Sequence, residues 1–374
     1  MSKLDLDKLK KKEYKYKSVY LVLSEPLKRA GNVYDYFMDN SDTFIFFSFP
    51  LGFSTSYSYV EIYKKRELKQ TIFFDFYSGS NNKIKFLFYY FYFNYVLIKY
   101  APQGTWVLSN FPTFFIFNFV FKFLKRVKFI FWIGDYYPSR KFPVIMYHLL
   151  VEYLNKSLKY ILYVSPPLEK IYAEKRGNKF KKLVTFGFGR NNRQISDQKK
   201  SKIVLGFIGI IRDQQGLDLT FNYIKNSQNV VIEVVGNGYM LNHYKSLASK
   251  LGINKKVKFL GHVDDIESIF RKWHIGLALY ENVPSNLSLY CEPTKIKNYL
   301  SYGLPVITTK TTYFGSEVKK NRAGEVIDED VDSLSKAIRK INANYNEYLN
   351  GVNRLNHKYE FNKWYDDKFA FIIG

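Results

Sequence analysis

One cysteine, Cys291, in 374 residues leaves no partner for an internal disulfide framework and no ligand set for a cysteine-based zinc cluster. A reducing compartment is therefore expected, with a cytoplasmic location. Residues 1–17 form a lysine-rich leader without the apolar run of a secretory signal. The longest uncharged stretch, residues 100–121, reaches membrane-spanning length but is broken by Pro102, Gly104, Asn110, Pro112 and Asn118, and reads as strand, turn and buried helix. The G-x-G-x-x-G fingerprint is missing, which disfavours a dinucleotide oxidoreductase. No clustering of His, Asp and Glu marks a metal site, so no metal and no bound cofactor are expected. Acidic residues are scarce as well: 57 Lys+Arg face 33 Asp+Glu, a net charge of +24, and residues 1–190 carry 31 of the first against 14 of the second. Pyrophosphate-linked substrates, an anionic membrane surface and nucleic acid all suit that sign. Charge alone does not choose among them.

What is present is enough for two cores, since 47% of the residues are hydrophobic. Short apolar runs at 18–23, 43–49, 70–76, 105–108, 129–133 and 160–164 read as strands. The stretches 83–100, 112–125 and 144–160 between them suit helices. Such alternation predicts a parallel sheet covered on both faces. Residues 190–202 are polar and lack periodicity, which marks a linker between a domain over 18–189 and a second over 203–350. The second series predicts strands at 203–210, 230–235, 257–260, 275–280 and 306–308, with helices at 217–224, 239–251, 295–302 and 331–343. The fold class is α/β, two tandem Rossmann-like domains facing a cleft. Residues 351–374 are expected to return to the first domain through an aromatic helix at 361–371.

Four segments of the second domain carry the chemistry. Gly206 to Gly216 (GFIGIIRDQQG) joins a strand to a helix; Gly209 and Gly216 let the backbone approach a ligand, and Arg212 offers a bidentate ion pair to a phosphate. Gly236-Asn-Gly238 and Gly261-His262-Val263 each end a strand, where open α/β sheets place ligands. The most informative is Tyr290 to Pro305 (YCEPTKIKNYLSYGLP). It turns at Pro293 and opens a short helix whose Thr294 and Lys295 amides would face an anion, with Asn298 one turn on to meet a ribose.

In this order the pieces resemble the C-terminal domain of GT-B glycosyltransferases, particularly the retaining group called family 4, over residues 203–327. The resemblance implies transfer of a sugar from a nucleoside diphosphate sugar of the UDP or GDP type, used as co-substrate, to a glycan or lipid-linked acceptor. It implies diphosphate binding by Gly31, Gly209, Arg212, Gln215, Gly216, Thr294 and Lys295, and nucleoside binding by Gly236, Gly238, His262, Val263 and Asn298. Glu281, Glu292 and Pro293 would meet the donor sugar. Three positions depart from the family pattern: Ile210 where an Arg is usual, Gln215 for a Lys, and Asn298 for a ribose-binding Glu. In the first half, Pro26 to Asn32 (PLKRAGN) matches the family's glycine loop at Gly31. Trp132 to Pro138 (WIGDYYP) ends a strand at the cleft, and its Asp135 is the candidate catalytic group. An anionic membrane surface on the inner face of the cell membrane is a further candidate partner. The rival readings are a GT-B-type UDP-sugar epimerase, which needs cleft carboxylates and His that are not evident, and a non-catalytic sugar- or nucleic-acid-binding protein; nucleic acid is disfavoured.

Overall fold

A computed structural model describes residues 14–23, 33–48, 57–77, 83–115, 127–173, 181–183, 202–263, 265–292 and 294–372. It contains two sheets, one built from each half of the chain.

In the first sheet β1 (Tyr16–Leu23), β2 (Ser41–Ser48), β5 (Trp106–Ser109), β6 (Lys128–Ile133), β7 (Tyr160–Tyr163) and β8 (Lys181–Leu183) run parallel. β1 is buried at every residue but Lys17, as expected of a central strand covered on both faces. The helices of this half are α1 (Val33–Asn40), α2 (Lys83–Tyr100), α3 (Phe142–Ser157) and α4 (Pro166–Ala173). The sheet is not wholly parallel, as the alternation had predicted. β3 (Tyr57–Lys64) and β4 (Glu67–Tyr77) add an antiparallel hairpin outside β2, giving the order β4-β3-β2-β1-β5-β6-β7-β8. The hairpin turns through Lys65 and Arg66, both at positive φ (52° and 68°), a conformation usually given to Asn-Gly. Arg66 is held there by donating from its guanidinium to Asp39 O at 2.9 and 2.7 Å. Of the helix expected at 112–125, residues Pro112–Phe115 form a 3-10 turn, and 116–126 lie outside the described residues. So do Gly31, most of the leader and most of the linker.

The second sheet is parallel throughout, ordered β11-β10-β9-β12-β13-β14. Its elements are β9 (Ile203–Ile208), α5 (Leu217–Lys225), β10 (Val230–Val235), α6 (Leu241–Lys250), β11 (Val257–Gly261), α7 (Ile266–Phe270), β12 (Ile275–Ala278), α8 (Thr294–Ser301), β13 (Val306–Thr309), α9 (Gly315–Lys320), β14 (Gly324–Ile327) and α10 (Val331–Ala343). The order turns back between β9 and β12, and such a switch point opens a crevice at the carboxyl ends of the strands. One core lies under α5, α6 and α10, and the other under α8 and α9.

Beyond α10, α11 (Tyr345–Lys358) places Val352 and Leu355 in the core beneath α8. The division expected at residue 350 thus falls inside a helix. α12 (Phe361–Phe369) then buries Phe361, Tyr365 and Phe369 among the first domain's core residues. The Phe369 ring lies 4.8 Å from Phe37, and Asp366 accepts from Tyr36 at 2.7 Å and pairs with Lys15. Among the described residues no helix is long and apolar enough to cross a membrane.

Candidate functional site

The site is assembled at the carboxyl ends of β9, β10 and β12, where loops meet the N-terminus of α8. Tyr299 fixes that helix: its hydroxyl donates to Leu277 O at 3.1 Å and accepts from Ile208 N at 3.0 Å. Its ring packs so closely on Gly276 that a Cβ there would lie 2.3 Å away. The motif's aromatic residue therefore ties α8 to β9 and β12, which explains why a tyrosine sits one residue after Asn298.

The loop from Gly209 to Gly216 runs against the Gly236-Asn-Gly238 loop. Gly209 N donates to Val235 O at 3.0 Å and Ile211 N to Asn237 O at 2.9 Å. A Cβ on Gly236 would stand 1.9 Å from Gly209 O, and one on Gly238 2.0 Å from Ile211 O. Both glycines, expected at the nucleoside, are engaged in letting the two loops touch. Gly216 caps α5 at φ 70°, against Leu279. A buried residue that the sequence did not single out, Asn286, braces the loop by donating to Gln214 O at 3.3 Å and Glu281 O at 2.8 Å.

Lys295 and Arg212 converge in this setting. The Lys295 ammonium donates to Gln215 Oε1 at 2.5 Å and lies 4.1 Å above the Phe207 ring and 5.3 Å from that of Tyr280. A side chain on Gly209 would begin 3.6 Å from it. Burial, and then the positive charge of Arg212, push its pKa down from the usual lysine range to about 7. Among the described residues no carboxylate pairs with either cation. Gln215 stands where the family has a lysine, and the Lys295 ammonium lies beside it, so a cation occupies that place from another element. Two neighbouring cations thus lie beside a glycine turn and a helix N-terminus, an arrangement whose charge suits an anion.

Asp135 follows β6 in the first domain and is linked to this region through Cys291, whose thiol feels the charges of both Asp135 and Arg212. Its Oδ1 lies 3.6 Å from Cys291 Sγ, which donates to it, and it also bonds Tyr137. Burial raises its pKa above the usual aspartate range. The domains also meet through Ser165 Oγ, which donates to Tyr290 O at 2.5 Å, and through the Tyr136 and Tyr290 rings, 4.7 Å apart. His148 on α3 steadies the aspartate's loop, with Nδ1 2.9 Å from Tyr172 OH and Nε2 2.9 Å from Tyr137 O. Neither Cys291 nor His148 was singled out for this neighbourhood by the sequence, which placed them far from Asp135 or on an undistinguished helix.

Two expected contacts are corrected. The Thr294 amide is not open to an anion, because it donates to Glu292 O at 2.9 Å. Glu292, expected at the donor sugar, is instead buried: its carboxylate is 2% exposed, paired with Lys297 and accepting from Tyr313 OH. Breaking that pair strands a charge in a low dielectric. Lys297→Met should therefore cost about 3–5 kcal/mol of stability in urea unfolding. The double variant with Glu292→Gln should cost much less. Equal losses in the two would disprove the reading.

The remaining candidates lie around this centre. Glu281 is half-buried after β12, its pKa raised by burial and by Glu329, Asp218 and Asp213. His262 is exposed and Val263 half-buried beyond β11, the sheet's edge strand. Asn298 is exposed one turn along α8 from Lys295. Pro293 lies outside the described residues. Among the described residues no group of three His, Cys, Asp or Glu is placed to hold a metal ion.

Solved structures share this architecture. The chain superposes on HepE of Anabaena, in complex with UDP and glucose, with a TM-score of 0.66 and 11% identity, over 95% of this chain and 100% of that one. Sucrose-phosphate synthase from Thermosynechococcus elongatus gives 0.64 and 11% over 96% of each chain. WaaG, a glycosyltransferase involved in lipopolysaccharide biosynthesis, gives 0.58 and 12% over 95% of this chain and 98% of that one. No curated protein matches the sequence significantly. The fold is that of GT-B glycosyltransferases. Within it, residues 189–354 match the family model for glycosyl transferases group 1, so the second half of the chain carries a domain of that family.

Proposed function

We propose that the protein transfers a sugar from a nucleoside diphosphate sugar to a hydroxyl of a glycan or lipid-linked acceptor, with retention of configuration, as a family 4 enzyme. The observation that carries this reading is the convergence of Arg212 and Lys295, unpaired with any described carboxylate, beside the Gly209 turn, with Cys291 joining this region to Asp135 of the first domain. The donor lies along the second domain, and the acceptor enters from the first. As the bond from the anomeric carbon to the diphosphate breaks, Arg212 and Lys295 stabilise the negative charge, the work a metal performs elsewhere. Asp135 faces the reacting sugar, where it orients a hydroxyl or offsets the positive charge that develops at the anomeric carbon. Apposition of the domains at Tyr136, Ser165 and Tyr290 keeps water from the competing hydrolysis. The UDP carried by HepE puts UDP first among the donor nucleotides to try, with GDP next. The part of WaaG in lipopolysaccharide biosynthesis supports a place in surface polysaccharide or glycoconjugate assembly, on the cytoplasmic side of the membrane and peripheral to it.

Activity with a panel of UDP- and GDP-sugars, followed by NMR of the product's anomeric bond, tests the proposal. An axial donor bond should give an axial product bond, with transfer undiminished by EDTA. Inversion, or loss of activity with the chelator, would count against it.

The lowered pKa of Lys295 gives a second test. Lysine in the unliganded protein loses its proton as pH rises through about 7, and a bound diphosphate restores it. Binding of a nucleoside diphosphate sugar, whose phosphates do not titrate near neutrality, should take up protons above that pH and weaken as pH rises. Calorimetry in buffers of different ionisation heat reads this directly; a binding heat independent of buffer would contradict it.

A further inference from the structure

α3 is apolar on two opposite faces. Val151 and Leu154 turn inward with Asn155 and are buried. Phe142, Ile145, Met146, Leu149 and Tyr153 recur at helical spacing within an arc of about 100° on the other side. All five are exposed, Phe142 by 74%, Leu149 by 54% and Tyr153 by 62%. A helix apolar all round is ordinarily enclosed on all sides, and a contiguous exposed row of this kind marks an interaction surface. Cations bracket the row: Arg140 and Lys141 are exposed just ahead of the helix, Lys156 continues the same face one turn past Tyr153, and Lys159 follows. The one acidic residue of the helix, Glu152, lies on its flank.

We propose that this face of α3 docks the protein on an anionic membrane surface, with the apolar row entering the headgroup region and the four cations meeting lipid phosphates. It rests on the peripheral location proposed above and supplies the element responsible. Charge selects the occupant. A second copy seated on this face by two-fold symmetry would bring the same cations together, on molecules of +24 each. Asp135 stands on the loop that leads into α3, so docking through this helix brings the acceptor side of the cleft to the bilayer, where a lipid-linked acceptor is held.

Flotation of the full chain tests this, with phosphatidylcholine vesicles and with vesicles in which roughly one third of the lipid is phosphatidylglycerol. Wild type should bind the anionic vesicles at least about tenfold more tightly than the neutral ones. The pair Ile145→Ser and Leu149→Asp should lose about tenfold or more of that binding. Arg140→Ala with Lys141→Ala should lose part of it and show a weaker salt dependence. Unchanged thermal unfolding of both variants will show that they are folded. Failure of wild type to float, or equal binding by the apolar variant, overturns the proposal; so does a wild-type dimer in lipid-free sedimentation that the apolar variant dissociates. Donor-sugar binding measured on the same samples separates the two claims: flotation failing while binding persists removes the docking face alone, whereas absent donor binding strikes the transferase reading.

Discussion

Arg212→Ala should lower kcat/KM for the donor sugar by about a hundred- to a thousandfold, the usual cost of removing one donor from a developing anion. Arg212 and Lys295 share a seat with no described carboxylate between them, and the guanidinium's charge already depresses the neighbouring ammonium. Removing Arg212 should therefore also let the Lys295 pKa rise, and the pH at which donor binding weakens should move upward with it. Lys295→Ala should cost a similar factor, while the double variant loses less than the product of the two because both act on one diphosphate. Steady-state kinetics with the best sugar of the panel measure all three. An Arg212→Ala enzyme within threefold of wild type, with an unmoved pH profile, would remove the diphosphate from this place.

Asp135→Asn should lower kcat by about a hundredfold or more with little change in donor KM, since the carboxylate belongs to the other side of the cleft. Burial raises its pKa, so the acid limb of the wild-type kcat profile should lie above the ordinary aspartate range. Activity falls as pH falls through that raised value, because protonation removes the charge that the mechanism uses. The limb should vanish in Asp135→Asn. Cys291→Ala is the control. It removes the thiol that donates to Asp135 but leaves the carboxylate, so a loss below about tenfold is expected, with the acid limb retained. A Cys291 variant as impaired as Asp135→Asn would mean that the domain contact, and not the carboxylate, carries the effect.

The elements legible in the sequence were those whose own residues suffice to specify them. α10 runs over Val331–Ala343 as its apolar spacing predicts, capped by Asp330 accepting from Ser333 N. β9 to β13 were read from short apolar runs, although β14 was not, and the motif over residues 290–305 placed α8 to within a residue. The elements that escaped depend on partners distant in sequence. The Lys65-Arg66 hairpin lacks any turn residue and is held by a carbonyl on α1. α11 is rich in asparagine and contains Gly351, which reads as a breaker; in the fold a Cβ there would fall 2.1 Å from Arg322 O, so the glycine admits a close approach.

The site divides in the same way. Gly209, Arg212 and Lys295 were named from local pattern and Gln215 from the family resemblance, and the four lie together. The pattern could not show that Glu292 has Lys297 and Tyr313 as partners, nor that a cation reaches Gln215 from α8. The contact of Cys291 with Asp135 joins two domains, and no local spacing encodes it.

Calorimetric titration of UDP, GDP, ADP and CMP into wild type, Arg212→Ala and Lys295→Ala tests the central claim most directly, that the second domain holds a donor diphosphate between these two cations. The expected result is clear binding of one nucleoside diphosphate by wild type, with each variant weaker by about tenfold or more, or 1.4 kcal/mol. Absence of binding by all four nucleotides, or equal affinity in all three proteins, would contradict it.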